Sequence, residues 1–300
     1  MPILSDKGRG EYVIRINKRI GGNDVFSFPS GVCWVYSKQL LYITDMHNHC
    51  VKYMKLVDNF PQTMPNTCLI NGREEKLIRP LGITYSKYFG LCITDAGHNE
   101  VFIWDINNEI WIQQKKCGNR YNFNMPGGIT ADDSGIIFIN DFLNERICGI
   151  DRQGNLFKVK FEEIEPQVHK PYGICYKKDI LYVADTGNNR IIKYSVSQKK
   201  TYILNMDTSI RLSNPIAIQV DDADNLLVCE QRRIWGISSA GSFLFLIDRN
   251  RWNLMAEEAG FQDRLTYAGA VNALGKGRAI LTDTIKGYIY EIQYFRKEFK

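Results

Sequence analysis

Six times in 300 residues the chain writes an apolar run ending on an acid, a short polar turn, and a second apolar run. The acids are Asp45, Asp95, Asp141, Asp185, Glu230 and Asp283, and the fullest copy is LYVADTGNNRIIKY at residues 181–194. Fourteen to sixteen residues before each acid stands a second anchor. In five copies it is a proline with a small residue two places on: Pro29 with Gly31, Pro80 with Gly82, Pro126 with Gly128, Pro171 with Gly173 and Pro215 with Ala217. The sixth copy keeps the small residue, Ala270, but has Ala268 for the proline. Successive anchors lie 51, 46, 45, 44 and 53 residues apart, a period that belongs to propellers and solenoids.

Each unit divides into four short β-type runs, the content of one propeller blade. A small residue at the head of the first run suits an innermost strand, where a larger side chain would meet the neighbouring blade. The acid closing the second run can accept hydrogen bonds from the backbone of the turn that follows. The last unit runs out of chain before a fourth strand, while EYVIRI at residues 11–16 precedes the first unit with no unit of its own. That run is expected to complete the last blade and close the ring.

The pattern Pro-x-Gly, strand, [IV]-[TA]-D-x-x-N-x-[RE]-[VI] resembles the NHL repeat, most fully at residues 185–191, and the likeness covers almost the whole chain. It implies an all-β fold: one domain over residues 1–300, a six-bladed β-propeller of four-stranded antiparallel blades. Two stretches exceed the blade plan, residues 55–79 and 248–267. The second is expected to carry a short helix over residues 252–259, and both read as surface excursions.

No apolar run approaches the roughly 20 residues of a membrane-spanning helix, so a soluble chain with no membrane contact is expected. The N-terminal residues carry no secretion pattern. Eight scattered cysteines (33, 50, 68, 92, 117, 148, 175 and 229), most within apolar runs, read as buried reduced thiols. With no N-x-[ST] acceptor, they favour a cytoplasmic protein.

Signatures of catalysis are scarce: no G-x-S-x-G, no H-E-x-x-H and no phosphate-binding glycine loop occurs. The acidic string at residues 221–225 lacks the glycine and terminal glutamate of a calcium loop and reads as a solvated turn. His47, His49, His98 and His169 fall on one face of a propeller, yet nothing makes them converge, and no metal or other cofactor is expected. NHL-like enzymes that cleave peptidylhydroxyglycine carry zinc histidines at the x of Pro-x-small; here those places hold Ser30, Leu81, Gly127, Tyr172 and Ile216. Gluconolactonase-like propellers hold a divalent ion on the axis, for which Asn140 is a candidate ligand, although a threonine substitute in a structural turn is the more economical reading.

What is left is binding on the loop face. Its candidate residues are Arg79, His98, Phe142, Arg146, Lys170, Tyr172, Arg190, Arg232, Arg233 and Lys286, with the six repeated acids as turn organisers. If backbone amides engage those acids, the face is basic. The expected function is therefore a monomeric, non-catalytic platform for a protein or peptide, with no catalytic residues. Single-stranded RNA on the same face is one alternative, with Phe142 and Tyr172 stacking beside Arg146 and Arg190. A metal-dependent lactonase-like or lyase-like enzyme working in the axial funnel is the other.

Overall fold

The computed structural model describes residues 12–114, 122–162 and 164–297. Glu11, Lys115, Lys116 and Cys117 lie outside the described residues. The chain forms a six-bladed propeller of four-stranded antiparallel blades. Blade 4 shows the plan: inner strand Pro171–Lys177, then Ile180–Asp185, Arg190–Ser195 and outer strand Lys200–Ile203. The ring closes through blade 6, where the N-terminal strand Tyr12–Gly21 pairs with Tyr288–Arg296 as the outermost strand. Closure of this kind leaves no open sheet edge across the seam.

The core is divided among the interfaces between blades, one apolar cluster to each of the six. Blades meet face to face, so both faces of each central strand are buried. The second strands accordingly carry continuous apolar runs such as residues 137–139, and every residue of Ile137–Asp141 is buried. Seven cysteines among the described residues sit in or beside these interfaces, all free and buried. Burial pushes the thiols of Cys148 and Cys175 up to about 11 and those of Cys33 and Cys68 to about 12, which leaves them inert as nucleophiles.

The anchors have a steric cause. Directly after five of the six anchors the inner strand bulges, and the next blade's backbone comes close to the anchor glycines Gly31, Gly82, Gly128 and Gly173. A Cβ on Gly128 would lie 2.9 Å from Tyr172 O, and one on Gly173 2.8 Å from Ile216 O. The polar residue before the acid ties neighbouring blades together. Thr44 Oγ1 accepts the Gly31 N–H of its own bulge (2.8 Å) and donates to Leu81 O of the next blade (2.6 Å); Thr94 repeats this with Gly82 and Gly127. Asn140 takes the threonine's place in blade 3, its Nδ2 donating to Tyr172 O at 2.8 Å.

Both excursions have structure. Residues Thr67–Ile70 and Arg73–Lys76 form a hairpin whose first strand runs parallel to Ile110–Gln113, widening blade 2 to six strands. In the second, the helix Arg249–Glu258 starts on an Asp248 cap and buries Trp252, Met255 and Ala256 against the seam between blades 5 and 6. Beyond it, Asp263 pairs with Arg19 of the closing strand, and the Arg19 guanidinium stacks between Phe261 and Tyr288, 4.4 and 4.7 Å from the ring centres. This excursion is a clasp on the closing strand. The string 221–225 is a turn: Asp221 accepts from the N–H groups of Ala223 and Asn225 and from the Tyr294 hydroxyl (2.9 Å).

Candidate active site in the axial funnel

The repeated acids are buried, and each takes the same hydrogen bond. The residue two places before the anchor donates its N–H: Ser27 to Asp45, Ile78 to Asp95, Asn124 to Asp141, His169 to Asp185, Ser213 to Glu230 and Thr266 to Asp283, at 2.5–2.8 Å. The acids also serve the turn that follows, through backbone N–H groups at Asp95 and Asp283 and through the turn asparagine amides Asn48, Asn144 and Asn188 at Asp45, Asp141 and Asp185. The partner common to all six is the loop leading into the acid's own blade. The acid pins the loop whose next residues form the funnel mouth.

Four of the six acids also hold a base. Lys52 lies 2.7 Å from Asp45, Arg146 2.6 Å from Asp141, Arg190 2.7 Å from Asp185 and Arg233 2.6 Å from Glu230. Arg190 is buried, and its other nitrogens donate to Glu165 O and Pro166 O. Three arginines assigned to a basic face are therefore spent within their own blades. The His98 ring is buried between Asp95 (3.5 Å) and Glu75 (3.2 Å), which raises its pKa chiefly through the Asp95 hydrogen bond. Lys286 is half-buried with its Nζ 3.8 Å from Asp263. Arg79, Lys170 and Arg232 are exposed and, among the described residues, carry no ion pair.

The inner strands surround an axial channel of about 520 Å³. Ser30, Leu81, Gly127, Tyr172, Ile216 and Gly269, one from each blade, line it just inside the anchors, and Thr84, Thr130, Gln219 and Asn272 supply polar groups deeper in. Tyr172 packs edge-on against Phe142, ring centres 5.4 Å apart. Burial raises the Tyr172 phenol above the usual tyrosine value, Tyr267 adds to the rise, and the Arg79 guanidinium opposes it. Arg79 of blade 2 and Tyr267 of blade 6 thus each lie within electrostatic reach of the Tyr172 phenol of blade 4. Tyr267 also borders a hollow of about 470 Å³ with Arg232 and Ile216. Sequence reasoning missed Tyr267 by assigning it to an excursion. Its register was the available signal: it directly precedes the anchor, as Phe28, Arg79, Met125, Lys170 and Asn214 do in the other blades.

A divalent ion on the axis does not fit these residues. Among the described residues lining the channel there is no carboxylate or imidazole, and no group of three His, Cys, Asp or Glu side chains is placed to hold a metal. The Asn140 Oδ1 is buried with no hydrogen-bond partner, but a single amide oxygen beside a committed amide nitrogen is too few hard donors for a divalent ion.

A six-bladed propeller with an enterable axial funnel defines the class of protein. Residues 28–254 match the family model described as SMP-30/gluconolactonase/LRE-like region, and the chain belongs to that family. Among solved structures it resembles virginiamycin B lyase from Staphylococcus aureus at 18% identity and a TM-score of 0.62, covering 97% of this chain and 90% of that one. A gluconolactonase from Xanthomonas campestris is similar at 13% identity and a TM-score of 0.68, over 97% and 99% of the two chains. A search of curated protein sequences found no match. The likeness to NHL repeats holds at the level of the six-bladed propeller, and the family shown is this related one. The expected non-catalytic platform is corrected by the same membership: the family is described by a lactonase, and it favours an enzyme. RNA binding gains nothing from the comparisons, and Arg146 and Arg190, on which it rested, are committed to Asp141 and Asp185. Among the described residues no helix is long and apolar enough to cross a membrane.

Proposed function

We propose that this chain is an enzyme of lactonase-like or lyase-like type, whose substrate enters the axial funnel between Arg79, Tyr172 and Tyr267. The observation that carries the reading is an axial channel lined by Tyr172 and, among the described residues, by no carboxylate, with the Arg79 guanidinium and the Tyr267 ring within electrostatic reach of that phenol. Tyr172 is protonated at neutral pH like an ordinary tyrosine, and burial raises its pKa further. Its O–H and the Arg79 N–H groups are donors for a substrate carbonyl oxygen. Such donors stabilise negative charge developing on that oxygen as an ester opens. Lys170 and Arg232 near the rim favour a substrate bearing a carboxylate or other anionic group. The donor set supports chemistry with no carboxylate-held ion.

The test is turnover of a panel of sugar and hydroxy-acid lactones by wild type, Arg79→Gln and Tyr172→Phe. The reading expects measurable opening of at least one lactone, with kcat/KM lowered roughly 10²-fold or more by each substitution at unchanged Tm. No turnover across the panel, or turnover indifferent to both substitutions, contradicts it.

A further inference from the structure

On the outer side of the ring, away from the inner strands, a groove of about 1030 Å³ runs between blades 3 and 4. Its walls are the outermost strands of those blades, Leu156–Lys158 and Lys200–Ile203, each paired, among the described residues, with a strand on one side only. Phe138 and Tyr194 form an apolar floor, and the half-exposed rings of Phe157 and Tyr202 stand at the sides. Lys158, Lys160, Lys199 and Lys200 rim it, all exposed and, among the described residues, without an ion pair. Glu162 is the one acid among the described lining residues.

We propose that this groove docks an extended acidic peptide segment of a partner protein, one that alternates carboxylates with aromatic or large aliphatic side chains. Four lysines against one glutamate select an anionic occupant, and exclude water less from their own heads than from the rings between them. The apolar floor selects side chains that can be buried, which a bare polyanion lacks. The two free strand edges offer unpaired N–H and C=O groups at the spacing of another extended chain, so a peptide can add main-chain hydrogen bonds as well. A nucleic acid could use the lysines but has no main-chain partner for a strand edge. The proposal is independent of the funnel, whose lining comes from the inner strands.

The experiment is fluorescence anisotropy on the full chain with three fluorescein-labelled probes: an eight-residue peptide alternating glutamate with phenylalanine, the same peptide with lysine for glutamate, and an oligouridine. Binding of the acidic peptide is expected to be saturable and weaker at high salt. It should fall roughly ten-fold or more in Lys158→Glu/Lys200→Glu, with Tm unchanged because these lysines are exposed, and also in Phe157→Ala, measured below the melting transition of that variant. Three results would overturn the proposal: no binding of the acidic peptide, binding untouched by either variant, or tighter binding of oligouridine that the same variants abolish.

Discussion

Replacing Asp185 by alanine tests whether the repeated acid is a stitch between loop and hairpin. Its carboxylate is fully buried and accepts three hydrogen bonds: from the His169 N–H at 2.8 Å, the Asn188 amide at 2.9 Å and Arg190 Nε at 2.7 Å. Removing it strands a buried backbone donor and leaves a guanidinium whose side chain is 10% exposed without its counter-charge. Breaking a buried ion pair from one side costs about 3–5 kcal/mol. Arg190 keeps the carbonyls of Glu165 and Pro166, which places the expected loss near the lower end, about 3 kcal/mol. Urea denaturation reads it as a lower midpoint at unchanged slope. Two comparisons sharpen the test. Lys87→Ala, which breaks the exposed pair with Asp133, should cost about 0.5 kcal/mol or less. The double variant Asp185→Ala/Arg190→Met, with no charge left buried, should be more stable than Asp185→Ala alone. A loss under about 1 kcal/mol in Asp185→Ala, or a double variant less stable than the single, would refute the reasoning.

Gly173→Ala should lose about 1–3 kcal/mol, because its Cβ would meet the next blade's backbone at 2.8 Å, whereas Gly127→Ala, with Asn140 Nδ2 at 3.5 Å as nearest neighbour, should change stability by about 0.5 kcal/mol or less; chemical denaturation separates them. Arg19→Ala should loosen the seam by about 1–2 kcal/mol and speed amide exchange first in the closing strand, Tyr12–Gly21, since the stacked guanidinium and its pair with Asp263 both go. The His98 pKa is raised in the fold by Asp95 and Glu75, so its contribution is complete below the unfolded value near 6.5 and is lost as pH rises through the folded value. Melting between pH 6 and pH 8 should therefore fall more steeply for wild type than for His98→Gln, and equal slopes would contradict the assignment.

The ring was legible because its cause is local and repeated: a proline, a small residue two places on and an acid some fifteen later recur in each blade. The closing strand could be read for the same reason, since a last blade one strand short requires a donor. The hairpin at residues 67–76 was written too, in the Asn71-Gly72 pair between two short strands, a strong hairpin signal in which both residues take positive φ. It was passed over because its parallel pairing with Ile110–Gln113 lies far along the chain. The charge of the face was less legible. Asp141 and Arg146, like Asp185 and Arg190, flank a turn and end directly opposite each other across two strands, so bases that look free in the sequence neutralise the acids beside them. The mouth was half visible. Arg79 is readable as a loop base and Tyr172 as a stacking aromatic, but the reach of Arg79 and Tyr267 to the Tyr172 phenol depends on the ring's closure, which no local pattern encodes.

Lactone turnover in the presence of a chelator tests the account most directly. A funnel that works through Arg79 and Tyr172 predicts the same kcat/KM with and without excess EDTA, and a protein that purifies without stoichiometric divalent metal. Activity abolished by EDTA and restored by a divalent ion would contradict it, and would show that donors other than those placed around this channel hold the reacting group.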